Sequence, residues 1–142
     1  MPAPVRTAVA VLAIAVLALA LGCHAETPQQ ERVSLCTDLV ALHATVVFLR
    51  DPPSGALVGE VRGDLDKLDP TVQRAQGSDV ADDAIAEQLA DTQEAYRTLL
   101  GGIGDDDRFS TVVTGSEGED LWGGYQALTE QLGCGDSLVA GG

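Results

Sequence analysis

Side chains suited to acid–base catalysis are scarce in this sequence. Its two histidines are His24 and His43, and imidazole is the side chain whose ordinary pKa lies closest to neutral pH. His24 stands in a polar stretch that offers nothing to hold it, and His43 falls beside the apolar seam of a predicted helix. Ser116 stands in G-S-E-G, which is typical of a helix start and differs from the G-x-S-x-G nucleophile elbow. We therefore expect no catalytic site and no enzyme activity.

Carboxylates are plentiful and fall into two clusters. One cluster holds Asp64, Asp66 and Asp69, and the other is the run 105–107. An EF-hand loop needs alternating acidic ligands, a central glycine and a later glutamate, and neither cluster has that pattern. The sequence also has no P-loop, dinucleotide-binding fingerprint or H-E-x-x-H motif. We interpret both clusters as solvated surface and predict neither a metal site nor a cofactor.

Aromatic residues supply the remaining candidate site. Phe109, Trp122 and Tyr125 flank an irregular segment and the Gly123–Gly124 pair. One hypothesis is that this region forms a small apolar cleft or a partner-binding face with Trp122 at its edge. The alternative, which we favour, is that these rings fill a core otherwise built from Leu, Val and Ala.

The first residues have the features of an export signal. Arg6 precedes an unbroken apolar run over 8–21, which is shorter than the roughly 20 residues of a membrane-spanning helix. The sequence A-L-G-C at 20–23 resembles the lipobox of bacterial lipoproteins, although leucine stands four and two places before Cys23 rather than three. The resemblance implies cleavage before Cys23 and a diacylglycerol on its sulfur. An ordinary secretory signal cleaved nearby is the alternative.

The resemblance also implies an organisation for the whole chain. Residues 1–22 are then a signal peptide, 23–32 the lipidated cysteine and a tether, 33–135 the folded domain and 136–142 a tail. The expected location is the outer face of the bacterial cytoplasmic membrane, with secretion as the alternative. The net charge of −14 becomes −15 when Arg6 is removed, which disfavours nucleic acid as a partner.

The same resemblance leaves two cysteines to be explained. With Cys23 assigned to the anchor, Cys36 and Cys134 form an even pair in an exported, oxidising setting. We therefore predict a disulfide between them. A reactive or metal-bound pair is disfavoured because neither cysteine belongs to a C-x-x-C motif.

Four stretches with helical spacing must position these residues. Apolar residues recur at intervals of three and four over 33–50, 54–68, 79–100 and 116–132, which is the period of a helix that buries one face. The predicted seams of the four helices are, in order, Leu35, Leu39, Leu42, Val46 and Leu49; Leu57, Val61, Leu65 and Leu68; Ile85, Leu89, Thr92, Tyr96 and Leu99; and Leu121, Tyr125, Leu128 and Leu132. Short connections between such helices predict an all-α, up-and-down four-helix bundle. In that arrangement the start of the first helix lies beside the end of the last, so one disulfide joins the first and last helices.

Local signals refine the helix ends. Ser34 is the expected N-cap of the first helix, and Ser116 with Glu119 has the spacing of a capping box. Pro70 is expected to end the second helix. The Gly123–Gly124 pair is expected to weaken or bend the fourth, and 103–115 is expected to be irregular.

These expectations combine into one functional hypothesis. The protein is a lipid-anchored cell-envelope protein that works as a non-catalytic binding or interaction module, with an envelope protein as partner and the chain itself monomeric. The alternative is a carrier of a small apolar ligand or lipid, which requires a cavity between the helices. An enzyme would require a clustered set of polar groups that the sequence does not provide.

Overall fold

The computed structural model describes residues 27–135, and the regular elements in that range are helical. The α-helices are α1 Pro28–Ala41, α2 His43–Arg50, α3 Val58–Lys67, α4 Asp69–Gln76, α5 Asp83–Leu100 and α6 Glu117–Leu132, and a 3-10 turn covers Phe109–Thr111. An antiparallel bridge pairs Leu57 with Arg108. The all-α class is confirmed. Cys23, His24 and the predicted signal and tail lie outside the described residues.

The first helix begins at Pro28 rather than near Ser34. Thr27 and Gln30 form a capping box: the Thr27 hydroxyl accepts from the Gln30 N–H at 3.2 Å, and the Gln30 side-chain oxygen accepts from the Thr27 N–H at 3.0 Å. Proline at the first helical position needs no N–H partner. Part of the predicted tether is therefore helical, and Ser34 lies inside α1, where its hydroxyl accepts from Arg74 at 2.9 Å.

The long predicted first helix is bent at Leu42. Helices α1 and α2 meet there at 48°, yet the predicted seam continues through the bend, because Leu35, Leu39, Val46 and Leu49 are all buried. No helix of the described range is by itself long and apolar enough to cross a bilayer. The α1–α2 pair meets the length and composition requirement only when both helices are counted across the bend.

The second predicted helix is divided into α3 and α4. Pro70 does not end a helix, as the sequence had suggested, but occupies the first turn of α4. The N–H groups in the first turn of a helix have no acceptor within the helix, so proline removes no helical hydrogen bond there, and its fixed φ suits the helix. Val61, Leu65, Leu68 and Val72 carry the buried face across the junction.

Helix α5 begins later than predicted and buries a slightly rotated face. Asp82 caps it by accepting from the Ile85 N–H at 3.1 Å. The buried positions are Ala86, Leu89, Gln93, Tyr96 and Leu100. Gln93 is buried because its amide donates to the Leu65 carbonyl at 2.8 Å and to Asp69 at 2.7 Å, so burial leaves no polar group without a partner.

Helix α6 runs unbroken through Gly123 and Gly124. A Cβ atom on Gly124 would lie 3.3 Å from the Leu89 side chain, so this glycine lets α6 approach α5 closely. The predicted capping box does not form: the Ser116 hydroxyl donates to Asp120 at 2.7 Å, and Glu119 pairs with Arg50. Leu121, Tyr125, Leu128 and Leu132 form the buried seam, as predicted.

Two connections fix the ends of these helices together. Cys36 and Cys134 form the predicted disulfide, with Cα atoms 5.3 Å apart across 98 positions of sequence. The segment between α5 and α6 is pinned to the start of α3, because the Phe109 N–H donates to the Ala56 carbonyl at 2.8 Å and the Val58 N–H to the Asp107 carbonyl at 2.9 Å. The irregular segment is therefore ordered by backbone bonds to α3.

Candidate functional site

An aromatic group lies where α2 meets α6. The rings of Trp122 and Tyr125 are stacked with centroids 5.7 Å apart, and the His43 ring meets Trp122 edge-on at 5.8 Å. Trp122 and Tyr125 share a face of α6 because they are three residues apart. His43 reaches them from the first position of α2.

Tyr125 is the buried support of this group. It is 2% exposed, and its hydroxyl donates to the Leu39 carbonyl at 2.5 Å. Burial raises the pKa of Tyr125 to about 12, because the charged phenolate loses its solvation. At neutral pH this side chain is therefore a neutral, fixed hydrogen-bond donor that backs Trp122 from the core side.

Trp122 is half-buried and is held from the solvent side by Arg50. The guanidinium carbon of Arg50 lies 5.3 Å from the indole centroid, within the distance of a cation–π contact. The Arg50 Nε also donates to Glu119 at 2.9 Å. The indole is thus held by a histidine, a tyrosine and an arginine from three sides.

An exposed valine completes the surface around Trp122. His43, Val47 and Arg50 follow at intervals of four and three on α2, so they share one face, and both outer members of this set contact Trp122. Val47 is 46% exposed. We call this surface the Trp122 patch, and its members are His43, Val47, Arg50, Glu119 and Trp122.

Phe109 is not part of the Trp122 patch. It is 7% exposed, and its ring packs against Tyr96 with centroids 6.3 Å apart. The structure therefore separates the three aromatic residues of the sequence hypothesis: Trp122 is at the surface, while Phe109 and Tyr125 are buried in different surroundings.

A small cleft connects Phe109 to the edge of the patch. Its volume is about 100 Å³, and Arg50, Asp51, Tyr96, Phe109 and Glu117 are among its walls. The Tyr96 hydroxyl donates to the Leu49 carbonyl at 2.8 Å. Burial, with a smaller contribution from the charge of Glu117, raises the pKa of Tyr96. The cleft is smaller than the roughly 300 Å³ at which small-molecule sites begin.

The first acidic cluster is occupied by internal partners. Asp64 pairs with Lys67 at 2.5 Å, and Arg97 bridges Asp66 at 3.0 Å and Asp69 at 2.7 Å. The hydrogen bond with Asp69 is the main cause that raises the pKa of Arg97. Through Arg97, Asp66 and Asp69 tie α3 and α4 to α5, while the Asp64 pair lies within α3.

The second cluster is used in the same way. Asp105 pairs with Arg62, whose guanidinium also donates to the Leu100 and Ile103 carbonyls. The Asp107 carboxylate accepts from the Gly104 N–H at 3.1 Å. Within residues 27–135, no set of three or more His, Cys, Asp or Glu side chains is placed to hold a metal ion.

A second concavity lies at the disulfide end. A groove of about 300 Å³, open to solvent, runs between α1 and the end of α6, with Arg32, Val33, Cys36, Val40 and Leu132 among its walls. Sequence reasoning missed both this groove and the role of Arg50. The role of Arg50 could have been inferred from the spacing of His43, Val47 and Arg50, because these residues share one face of α2 outside the buried seam.

Comparison of the chain with protein-family models, curated proteins and solved structures found no match in any of the three. The geometry defines one pre-positioned aromatic surface and one apolar groove. Neither brings a nucleophile and a base together in the described part of the chain.

Proposed function

We propose that this protein is an exported, lipid-anchored protein of the cell envelope, that it works as a non-catalytic binding module, and that the Trp122 patch contacts a protein partner. The observation that carries the proposal is an indole fixed by His43, Tyr125 and Arg50 while part of it stays open to solvent. Tryptophan and arginine are enriched among residues that dominate binding energies.

Preorganisation supports this choice over the other surfaces. A side chain that is already held in one rotamer loses little conformational entropy when it binds. Val47 adds an apolar contact beside it, and the Arg50–Glu119 pair forms a polar rim at one edge. An apolar centre with a charged rim is the usual composition of a protein interface.

The proposed location rests on the sequence. The basic residue, short apolar run and A-L-G-C at 20–23 support export and lipidation of Cys23, with the outer face of the cytoplasmic membrane as destination. The Cys36–Cys134 disulfide is consistent with an oxidising compartment. A monomer remains part of the proposal.

We also infer that the helices form a four-helix, up-and-down bundle, with α1–α2 and α3–α4 each counted as one bent unit. Three contacts support opposite directions for the first and last units: Cys36 with Cys134, Leu39 with Tyr125, and Arg50 with Glu119. Spin-label distances test this inference. A start of α1 closer to the start of α6 than to its end would contradict it.

Crosslinking in intact cells, followed by affinity capture of the full chain, tests the binding proposal. Val47→Glu places a charge in the Trp122 patch, and Val113→Glu is the matched control because Val113 is 89% exposed on the loop before α6. We expect Val47→Glu to lower recovery of the crosslinked partner roughly tenfold, as expected for loss of an interface contact worth about 1.4 kcal/mol. Equal recovery with both variants would reject the patch as the interface.

A carrier of an apolar ligand is the second candidate function. The groove beside the disulfide is the observation that favours it, because its volume of about 300 Å³ reaches the lower end of known ligand sites. The groove lies at the surface rather than inside the core.

A further inference from the structure

The groove beside the disulfide has an apolar wall. Val33 and Val40 lie seven residues apart on α1 and so share one face with the Cys36 sulfur between them, while Leu132 closes the opposite side. Val33 is 55% exposed, so its apolar side chain is open to solvent beside the disulfide. The groove is therefore an apolar surface that the described residues leave uncovered.

Arg32 gives this apolar wall a positive edge. The range 27–135 contains seven Lys and Arg residues, and five of them form ion pairs, namely Arg50, Arg62, Lys67, Arg74 and Arg97. Arg32 and Arg108 form none with a described residue. In a chain of net charge −14, a guanidinium without a described carboxylate partner beside an apolar groove is complementary to an anionic amphiphile.

The position of the groove agrees with a membrane ligand. Thr27 comes four positions after Cys23, so the Cα atoms of these two residues can be at most about 14 Å apart. Gln29 and Arg32 from the first turns of α1 line the groove. An anchored chain therefore holds this groove close to the phospholipid headgroups.

We propose that the groove binds one acyl chain of an anionic membrane phospholipid, with the lipid phosphate at Arg32. The chain lies along Val33, Val40 and Leu132, and the phosphate accepts hydrogen bonds from the guanidinium, which suits phosphate geometry. The inference rests on the proposed envelope location for the supply of ligand, but the groove itself is defined without it. It adds a lipid contact along α1, whereas the Trp122 patch lies on α2 and α6.

The test uses the full chain in phosphatidylcholine vesicles that contain a small fraction of phosphatidylglycerol with a photoactivatable acyl chain. After irradiation, mass spectrometry maps the lipid adducts. We expect adducts on the segments that contain Val33, Val40 and Leu132. Replacing the probe by phosphatidylcholine with the same acyl chain should lower the yield.

Three variants make the test specific. Arg32→Gln removes the groove charge and should lower the adduct yield roughly fivefold, whereas Arg108→Gln, the matched control, should leave it unchanged. Thr37→Trp fills the groove from an exposed position and should abolish groove adducts. Circular dichroism and an intact disulfide confirm that each variant is folded.

Several results would overturn the proposal. Adducts spread over the surface, or an equal loss with Arg32→Gln and Arg108→Gln, would show non-specific attraction to the vesicle. A protein–protein crosslink through the groove would assign it to a second copy, and absence of vesicle-lipid adducts would reject a phospholipid as its occupant. Flotation of the same vesicles reports membrane anchoring separately, so failure of the location and failure of the groove proposal are distinguishable.

Discussion

The hydroxyl of Tyr125 on α6 donates to the Leu39 carbonyl of α1 at 2.5 Å, one turn before the 48° bend at Leu42. The Leu39 carbonyl lies in the last turn of α1, where it also accepts from the Leu42 N–H at 3.2 Å, so the tyrosine adds a second hydrogen bond to it. Tyr96 does the same at the end of α2, where its hydroxyl donates to the Leu49 carbonyl at 2.8 Å. The two tyrosines of the chain therefore tie the C-terminal turns of α1 and α2 to α6 and α5 by one buried hydrogen bond each.

Removing the Tyr125 hydroxyl should destabilise the fold while keeping the ring. Tyr125→Phe removes one of the two hydrogen bonds to the buried Leu39 carbonyl, which keeps the Leu42 N–H, so the change should cost about 1 kcal/mol. Urea unfolding measures the change. Thr98→Ala is the control, because it removes an exposed hydroxyl bond to the Glu94 carbonyl within α5, and its effect should stay within about 0.5 kcal/mol. Equal destabilisation by the two variants would show that the Tyr125–Leu39 hydrogen bond contributes no more than an exposed one.

Stability should fall at alkaline pH. Burial raises the pKa of Tyr125 from 10.0 to about 12 and also raises that of Tyr96. The unfolded chain therefore releases these protons first, so the stabilisation is complete below pH 10.0 and is lost as pH rises from 10.0 through the folded value of about 12.

Urea unfolding between pH 9 and pH 12 measures this loss, and ultraviolet titration follows phenolate formation directly. The double variant Tyr96→Phe with Tyr125→Phe has no tyrosine left, so its stability should depend much less on pH over this range. An identical pH dependence in the double variant would show that other groups cause the loss.

The disulfide should contribute a large part of the stability. Cys36 and Cys134 are separated by 98 positions, and closing a loop near that length stabilises a fold by about 4 kcal/mol in the chain-entropy treatment. Cys36→Ser with Cys134→Ser should lower the free energy of unfolding by that order. The reduced wild-type chain provides the comparison, and a loss below about 1 kcal/mol in both would contradict the prediction.

Two glycines of α6 should respond in opposite directions to alanine. A Cβ atom on Gly118 would lie 2.4 Å from the Arg50 carbonyl oxygen, so Gly118→Ala should push α6 from the end of α2 and cost about 1–3 kcal/mol. Gly123 has nothing within 4 Å of its Cβ position, so Gly123→Ala should stabilise the helix by about 0.5–1 kcal/mol. Thermal unfolding of both variants checks the sign of each change.

Lipidation of Cys23 predicts a clear change in fractionation. Cys23→Ala should release the chain from the membrane fraction, because the diacylglycerol is the proposed anchor. The mass of the membrane-bound wild-type protein should include the lipid. An unmodified Cys23 in that fraction would reject lipidation, while Cys36→Ala should leave the fractionation unchanged.

Local sequence patterns predicted well those helices that bury one apolar face. Leu121, Tyr125, Leu128 and Leu132 form the predicted seam of α6, and the class of fold follows from four such seams. Helix ends were predicted less well. Pro70 can end one helix or begin the next, and Ser116 can form a capping box or bond another side chain. The choice depends on neighbouring helices, which the local pattern does not include.

The candidate site shows the same division. Trp122 was identified from its place in the sequence, but Phe109 was grouped with it although the fold puts the two in different surroundings. Gln93 would be assigned to the surface from its polarity alone. It is 3% exposed because Leu65 and Asp69 supply partners from two other helices.

The sequence by itself therefore determined the helical class, the cysteine pair and the residues able to form the core, because period and composition are local properties. Only the tertiary structure decided that Arg50 crosses from α2 to Glu119 and Trp122, and that Arg32 borders a groove that residues 27–135 leave uncovered. Both depend on the distances between helices far apart in the chain. Those distances are set by close packing, as at Gly118 against Arg50 and Gly124 against Leu89.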